Sequence, residues 1–252
     1  MRIFLLANNI VGLEICKYLM SLNEDIVGLA IHMPDKQKFT EDIVKESSLP
    51  KERIFEASQL RNPVYLKKIA GLKPDIGIAA FWGYILKREL IDIFPLGCIN
   101  FHPGYLPYNR GLNPNVWPFI EGTPAGVSLH YIDNGIDTGD IIARRKVEIE
   151  SIDTAGTLYD KTLLEIVKLF KEVWPDIKKN KIKPFSQKEM LHTFHTSKDI
   201  DKLDLIDLEK QIKAKELINL LRARTYGTSS FAYFIENGKK INIGVFLKYK
   251  PD

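Results

Sequence analysis

Cysteine is nearly absent: Cys16 and Cys98 are the only two among 252 residues, far apart and without C-x-x-C spacing. They can form neither a disulfide framework nor a cysteine-rich metal site, and we assign no metal. Both lie in apolar runs, so we read them as buried free thiols suited to a reducing cytoplasm. Long apolar runs are missing too. None approaches the ~20 residues that a membrane span needs, which argues against a membrane protein. The initial run Met1–Ala7 meets Asn8-Asn9 without a cleavage-like tail, and reads as a first strand, not a signal peptide. The turn after it, Ala7-Asn8-Asn9-Ile10-Val11-Gly12, lacks the G-x-G-x-x-G glycines that let a backbone approach a pyrophosphate. No G-x-x-x-x-G-K-[ST] occurs either, which argues against nicotinamide and P-loop chemistry. Repeats and low-complexity tracts are absent.

What is present is a globular balance of 45% apolar and 27% charged residues, enough for one large domain plus a small appendage. The formal charge of +4 is uneven. From Lys161 onward 19 basic residues face 12 acidic ones, whereas residues 1–160 carry 17 against 20. A basic rear half suits an anionic ligand such as a diphosphate or RNA; a solvated lysine-rich surface explains it as well.

The first half alternates strand-like and helix-like runs. Arg2–Ala7, Ile26–His32, Ile76–Ala80 and Gly97–Phe101 read as buried strands. Between them, Asn9 is placed to cap a helix through Leu22, Phe39–Ser47 reads as helical, Asn62 caps Pro63–Gly71, and Lys87–Phe94 is a further helix. Such alternation predicts an α/β, Rossmann-like, mostly parallel sheet with helices on both faces. Five prolines in residues 103–124 indicate a shaped loop with a short helix near Asn115–Glu121. Ala125–Tyr131 and Ile141–Val147 are predicted strands, and Thr154 caps a long helix to about Trp174. Pro175–Leu203 reads as polar and irregular. A helix near Leu208–Arg222 and a hairpin around Asn237-Gly238, flanked by Phe231–Ile235 and Lys240–Lys248, form a small α+β appendage. We therefore expect a catalytic domain over 1–184 and a C-terminal subdomain over 185–252.

Asn100 and His102 stand two apart at a strand end, so their side chains share one side. An imidazole manages protons near neutrality, and an amide N–H can donate to a developing oxyanion. Asp137, in a glycine-rich loop after the next strand, could orient that imidazole. Each residue alone also has a plain reading as turn chemistry.

Their surroundings are more specific. Ile99-Asn100-Phe101-His102-Pro103-Gly104-Tyr105-Leu106-Pro107-Tyr108-Asn109-Arg110-Gly111, then Pro114, Gly126-Val127-Ser128 and Gly135-Ile136-Asp137-Thr138-Gly139-Asp140-Ile141, resemble the formyltransferase family. Its members move a formyl group from N10-formyltetrahydrofolate to an amine. The resemblance implies that Asn100, His102 and Asp137 are catalytic: the amine attacks the formyl carbon, Asn100 donates to the oxyanion, His102 handles the proton, and Asp137 holds His102. It implies a folate site on Phe81, Trp82, Gly83, Tyr84, Ile85 and Leu86, closed by Asp133, Gly135 and Ile136, with tetrahydrofolate as product. Packing of Phe81 and Trp82 under the sheet edge is the plain alternative.

The loop Leu106–Gly111, Asn113–Pro118 and the segment Phe194–Asp204 are most like the nucleotide-sugar N-formyltransferases. That likeness implies a nucleotide-linked amino sugar (a dTDP-amino sugar, for example) as acceptor, in lipopolysaccharide O-antigen precursor synthesis. Tyr105, Tyr108, Asn109, Arg110, Asn113, Asn115, Trp117, Arg222 and Arg224 are then its candidate contacts, although Arg110 equally suits bracing its own loop. A homodimer is expected. The alternatives are a methionyl-tRNA formyltransferase-like enzyme binding tRNA, a glycinamide ribonucleotide formyltransferase, a non-catalytic folate-binding module, and an amidohydrolase releasing formate.

Overall fold

The structure is a computed structural model and describes residues 1–250. A seven-stranded sheet is built from β1 (Arg2–Ala7), β2 (Asp25–Ile31), β3 (Ile54–Glu56), β4 (Ile76–Ala80), β5 (Cys98–His102), β6 (Gly126–Tyr131) and β7 (Ile141–Lys146), in the order β3-β2-β1-β4-β5-β6-β7. The pairs β1–β2, β1–β4, β2–β3 and β4–β5 are parallel; β5–β6 is antiparallel. The expected Rossmann-like, mostly parallel architecture is therefore the one found. Ile3 to Ala7 are fully buried because β1 is central and covered on both faces. Each large apolar side chain so buried contributes about 1.5–3 kcal/mol.

The helices are α1 (Asn9–Ser21), α2 (Thr40–Ser47), α3 (Pro63–Gly71), α4 (Arg88–Ile91), α5 (Trp117–Glu121), α6 (Ala155–Lys178), α7 (Ser197–Asp204) and α8 (Ala214–Ala223). Asn62 caps α3 as its sequence requires, its side-chain oxygen accepting from the Val64 N–H at 2.9 Å. Asn8, not Asn9, is the N-cap of α1; Asn9 is already inside, at φ +54°, where its side chain accepts from Val11 N–H. The stretch Pro175–Leu203 is less irregular than expected. It holds the end of α6 and most of α7, whose start is a reciprocal capping box between Thr196 and Asp199. Strand β3 was too short to stand out, and α8 starts at Ala214 where the pattern suggested Leu208. The C-terminal hairpin is real but shorter than expected: β8 (Tyr233–Glu236) and β9 (Lys239–Asn242) flank Asn237 at φ +49° and Gly238 at φ +73°. These are the two positive angles of a type I′ turn.

The chain packs as two compact units interleaved along the sequence. One comprises Met1–His102, Ser128–Arg144 and Ile166–Glu189; the other comprises Pro103–Val127, Arg145–Glu165 and the chain from Met190 onward. This partition follows packing, whereas the expected 1–184 and 185–252 division follows chain order. No helix among the described residues is long and apolar enough to cross a membrane.

Within the first unit, α6 carries an internal proline, Pro175. Proline removes the N–H that would bond the carbonyl four residues earlier. That carbonyl, on Lys171, instead accepts the Tyr18 hydroxyl at 3.0 Å. One residue before the proline, Trp174 is fully buried, stacks on Phe170 at 5.2 Å, and donates its indole N–H to Glu24 at 3.0 Å. Lys178 lies 2.6 Å from the same carboxylate. Burial of Glu24 would raise its pKa, but the bonds from Lys178 and Trp174 outweigh it and hold the group below the usual value. A lowered folded-state pKa means that this stabilisation is complete above ~4.3, the ordinary glutamate value, and is lost as pH falls through the lowered one. Thermal melts from pH 7 to pH 3 should therefore show a steeper acid loss of Tm in the natural chain than in Glu24→Gln. Parallel curves would remove Glu24 as a source of acid lability.

Candidate active site

Strand β5 places Asn100 and His102 on one face, and the antiparallel register sets His130 opposite Asn100 and Ser128 opposite His102. Directly opposed residues share a face of the sheet. The loop after β6 brings Asp137 back to this face. Its carboxylate lies 3.4 Å from His102 Nδ1 through Oδ2, and 3.4 Å from both His130 Nε2 and Asn100 Nδ2 through Oδ1. Asn100, His102 and Asp137 thus converge.

His130 is the member that sequence reasoning missed. Its Nδ1 lies 2.8 Å from the Tyr131 carbonyl, a contact that requires hydrogen on Nδ1. In the neutral ring Nε2 is then an acceptor, and Asn100 Nδ2 donates to it at 3.1 Å. One Asn100 N–H is held by His130, while the second faces Asp137 at the longer distance. The alternation Ser128-x-His130 in a strand was the available signal, and it needed the β5–β6 register to acquire meaning.

The Asp137 loop is shaped tightly. Asp133 Oδ1 accepts from Gly135 N–H at 3.0 Å and from the Thr138 hydroxyl at 2.6 Å, an Asx turn. The Tyr131 N–H bonds the Asp140 carbonyl at 3.0 Å. Gly139 passes so close to Tyr131 that a Cβ there would collide with the Tyr131 carbonyl oxygen, so only glycine fits. Asp137 itself sits at φ +54°, a left-handed conformation unusual for a residue with a side chain.

The loop at the end of β4 opens with Phe81, also left-handed at φ +57°. The next residues surround His32, which caps β2. The Gly83 N–H donates to His32 Nε2 at 3.2 Å, and the Trp82 and Tyr84 rings each contact the imidazole edge-on at 4.8 Å. Burial, with help from the charge of Lys36, pushes the His32 pKa down to about 4, so the ring is neutral above that pH and remains an acceptor for Gly83. His32 is a second residue that sequence reasoning missed.

A cleft of about 350 Å³ is lined by Trp82, Tyr84, Ile85 and Leu86 with Met33 and Leu60 among others. Phe81, Gly83, Asp133, Gly135 and Ile136 are not in its lining. Trp82 Nε1 is buried without a hydrogen-bond partner. Apolar and aromatic walls with Ser58, Arg61 and Lys87 among them suit a flat heterocycle bearing polar groups, so the chemistry of this loop fits a pterin.

The acceptor candidates lie in the second unit, and most are engaged within it. Asn109 is fully buried, its amide bonded to the Thr123 and Thr193 hydroxyls. Asn115 donates to the Ala155 carbonyl and the Tyr226 hydroxyl, each at 2.9 Å. Trp117 donates to the Leu112 carbonyl and stacks on His195 at 3.7 Å. Arg222 donates to the carbonyls of Asp153 and Glu150 and to Asn219 Oδ1, and lies over Phe119. Arg224 is buried against Asp204 at 2.6 Å and over Phe231. In this structure the polar groups of these five serve the fold. Arg110 is buried in a short pairing of Arg110–Gly111 with Phe194–His195. Tyr105, Tyr108 and Asn113 retain exposed surface.

Residues 24–173 match the family described as formyl transferase, and residues 199–249 match the N-formyltransferase dimerization C-terminal domain. The chain belongs to the formyl transferase family. A methionyl-tRNA formyltransferase from Alkaliphilus oremlandii is 30% identical over 225 residues, spanning 86% of this chain and 71% of the relative. Among solved structures, a 4-N formyltransferase from Francisella tularensis superposes with a TM-score of 0.84 at 27% identity, covering 99% of this chain and 98% of the other. A formyltransferase from Anoxybacillus kamchatkensis, solved with UDP-4,6-dideoxy-4-formamido-L-AltNAc and tetrahydrofolate, is 31% identical with a TM-score of 0.55, covering 80% and 89%.

Proposed function

We propose that this formyltransferase moves a formyl group from N10-formyltetrahydrofolate to the amino group of a nucleotide-linked amino-deoxy sugar. The observation that carries the chemistry is the convergence of Asn100 and His102 on the Asp137 carboxylate. When bound, the folate supplies the formyl carbon; Trp82, Tyr84, Ile85 and Leu86 are the residues that would hold its ring. Asp137 orients His102 through Nδ1, and the imidazole takes the proton that the acceptor amine loses. Asn100, steadied by His130, swings its second N–H from the 3.4 Å contact with Asp137 to the developing oxygen charge. Loose contacts at 3.4 Å are ordinary for a catalytic site without substrate and tighten on binding.

The sugar acceptor is supported by the near end-to-end match with the 4-N formyltransferase and by the C-terminal match at 199–249. Tyr105, Tyr108 and Asn113 are the proposed sugar contacts. The hairpin β8–β9 leaves Ile235 and Ile241 partly exposed, and with the dimerization-domain match it supports a homodimer. A cytoplasmic role in making surface-polysaccharide precursors, such as those of lipopolysaccharide O-antigen, completes the proposal.

The test is a mass-spectrometric screen of nucleotide amino sugars incubated with enzyme and formyl-folate, with initiator methionyl-tRNA in parallel. A formylated sugar with tetrahydrofolate released is the expected result. Formyl appearing only on the tRNA would overturn the acceptor, and formate released without any amine would make the chain a hydrolase.

A further inference from the structure

We infer that Gln187 is a positioning residue for catalysis, acting through Asp137 from a segment that lies between the two family matches. The inference rests on the formyl-transfer reading. Gln187 is 1% exposed, and its side-chain Nε2 donates to the Asp137 carbonyl at 3.1 Å and to the Gly139 carbonyl at 2.6 Å. Both acceptors are backbone carbonyls, so only the NH₂ end of the amide can face them, and its two hydrogens match the two oxygens. The clamp therefore grips the loop at the catalytic residue and two residues beyond it.

The loop needs such a grip. Asp137 is held in the left-handed region, which a residue with a side chain keeps only when its surroundings determine it. Gly139 is pressed against the Tyr131 carbonyl. The clamp fixes the peptide plane that follows Asp137 and the one that follows Gly139, and so restrains the backbone from which the Asp137 carboxylate leaves toward His102. Gln187 itself is anchored by the neighbouring pairing of Phe185 with Ile141, whose N–H groups and carbonyls exchange bonds at 2.9 and 3.0 Å. A catalytic carboxylate misplaced by 1 Å loses far more rate than stability.

Two variants test this in the full-length enzyme. Gln187→Met keeps the length and removes both donors; Gln187→Glu keeps the shape and sets a carboxylate against two carbonyls. Each should lower kcat at least tenfold, leave KM for formyl-folate and acceptor within about threefold, and keep cooperative melting. In an Asp137→Asn background, Gln187→Met should cost less than twofold more, because the residue it aims is already disabled. Undiminished kcat in both variants, a full additional loss in the Asp137→Asn background, or failure of both variants to fold would each overturn the inference. A natural enzyme inactive on every acceptor would instead defeat the functional reading.

Discussion

His102→Ala should lower kcat for formyl transfer by about 1,000-fold, a loss of about 4 kcal/mol of transition-state stabilisation. The ring is buried on the inner face of β5 with its Nδ1 toward Asp137. Alanine removes the only imidazole on β5, and the Asn100–His130 bond survives it. Substrate binding should change little, since the imidazole is needed when the proton moves rather than when the folate docks. Steady-state kinetics at saturating acceptor checks the number. A residual rate within tenfold of the natural enzyme would reassign proton handling, and His130 would be the first candidate.

The largest loss of stability should come from Trp174→Ala. The indole is fully buried, packs on Phe170, and donates to a buried carboxylate. Truncating a core tryptophan costs about 3–5 kcal/mol. For a chain of this size that corresponds to a fall in Tm of roughly 10 °C. Trp174→Phe keeps the ring and removes only the N–H, so it should cost about 1.5–3 kcal/mol, the range for a hydrogen bond to a charged group. Denaturant melts with unchanged slopes would give both values directly. Equal losses in the two variants would mean that the hydrogen bond, not the packing, dominates.

Much of this was legible in the residues. Short apolar runs alternating with capped helices fixed the sheet, and Asn62 before Pro63 marked its helix to the residue. Strand spacing puts Asn100 and His102 side by side, but their role came, like that of Asp137, from the resemblance. His130 and His32 were not readable, since a lone histidine in or after a strand acquires a partner only through tertiary register. Gln187 was hidden further, fifty residues from the loop it holds and inside a polar stretch without periodicity. The engagement of the acceptor candidates was hidden for a different reason. Sequence shows that Asn115, Arg222 and Arg224 have hydrogen bonds to give, but not whether a ligand or the protein's own carbonyls receive them.

Strand β5 has no open edge: β4 bonds it on one flank and β6 on the other. Asn100 and His102 therefore ride on an internal strand, whereas Asp137 rides on the loop after β6. Amide exchange at Ile99 to Phe101 should proceed only through whole-molecule opening, and on warming, catalysis should vanish along the same curve as the near-ultraviolet signal of the folded state. Asn100 and His102 keep their spacing for as long as the sheet holds.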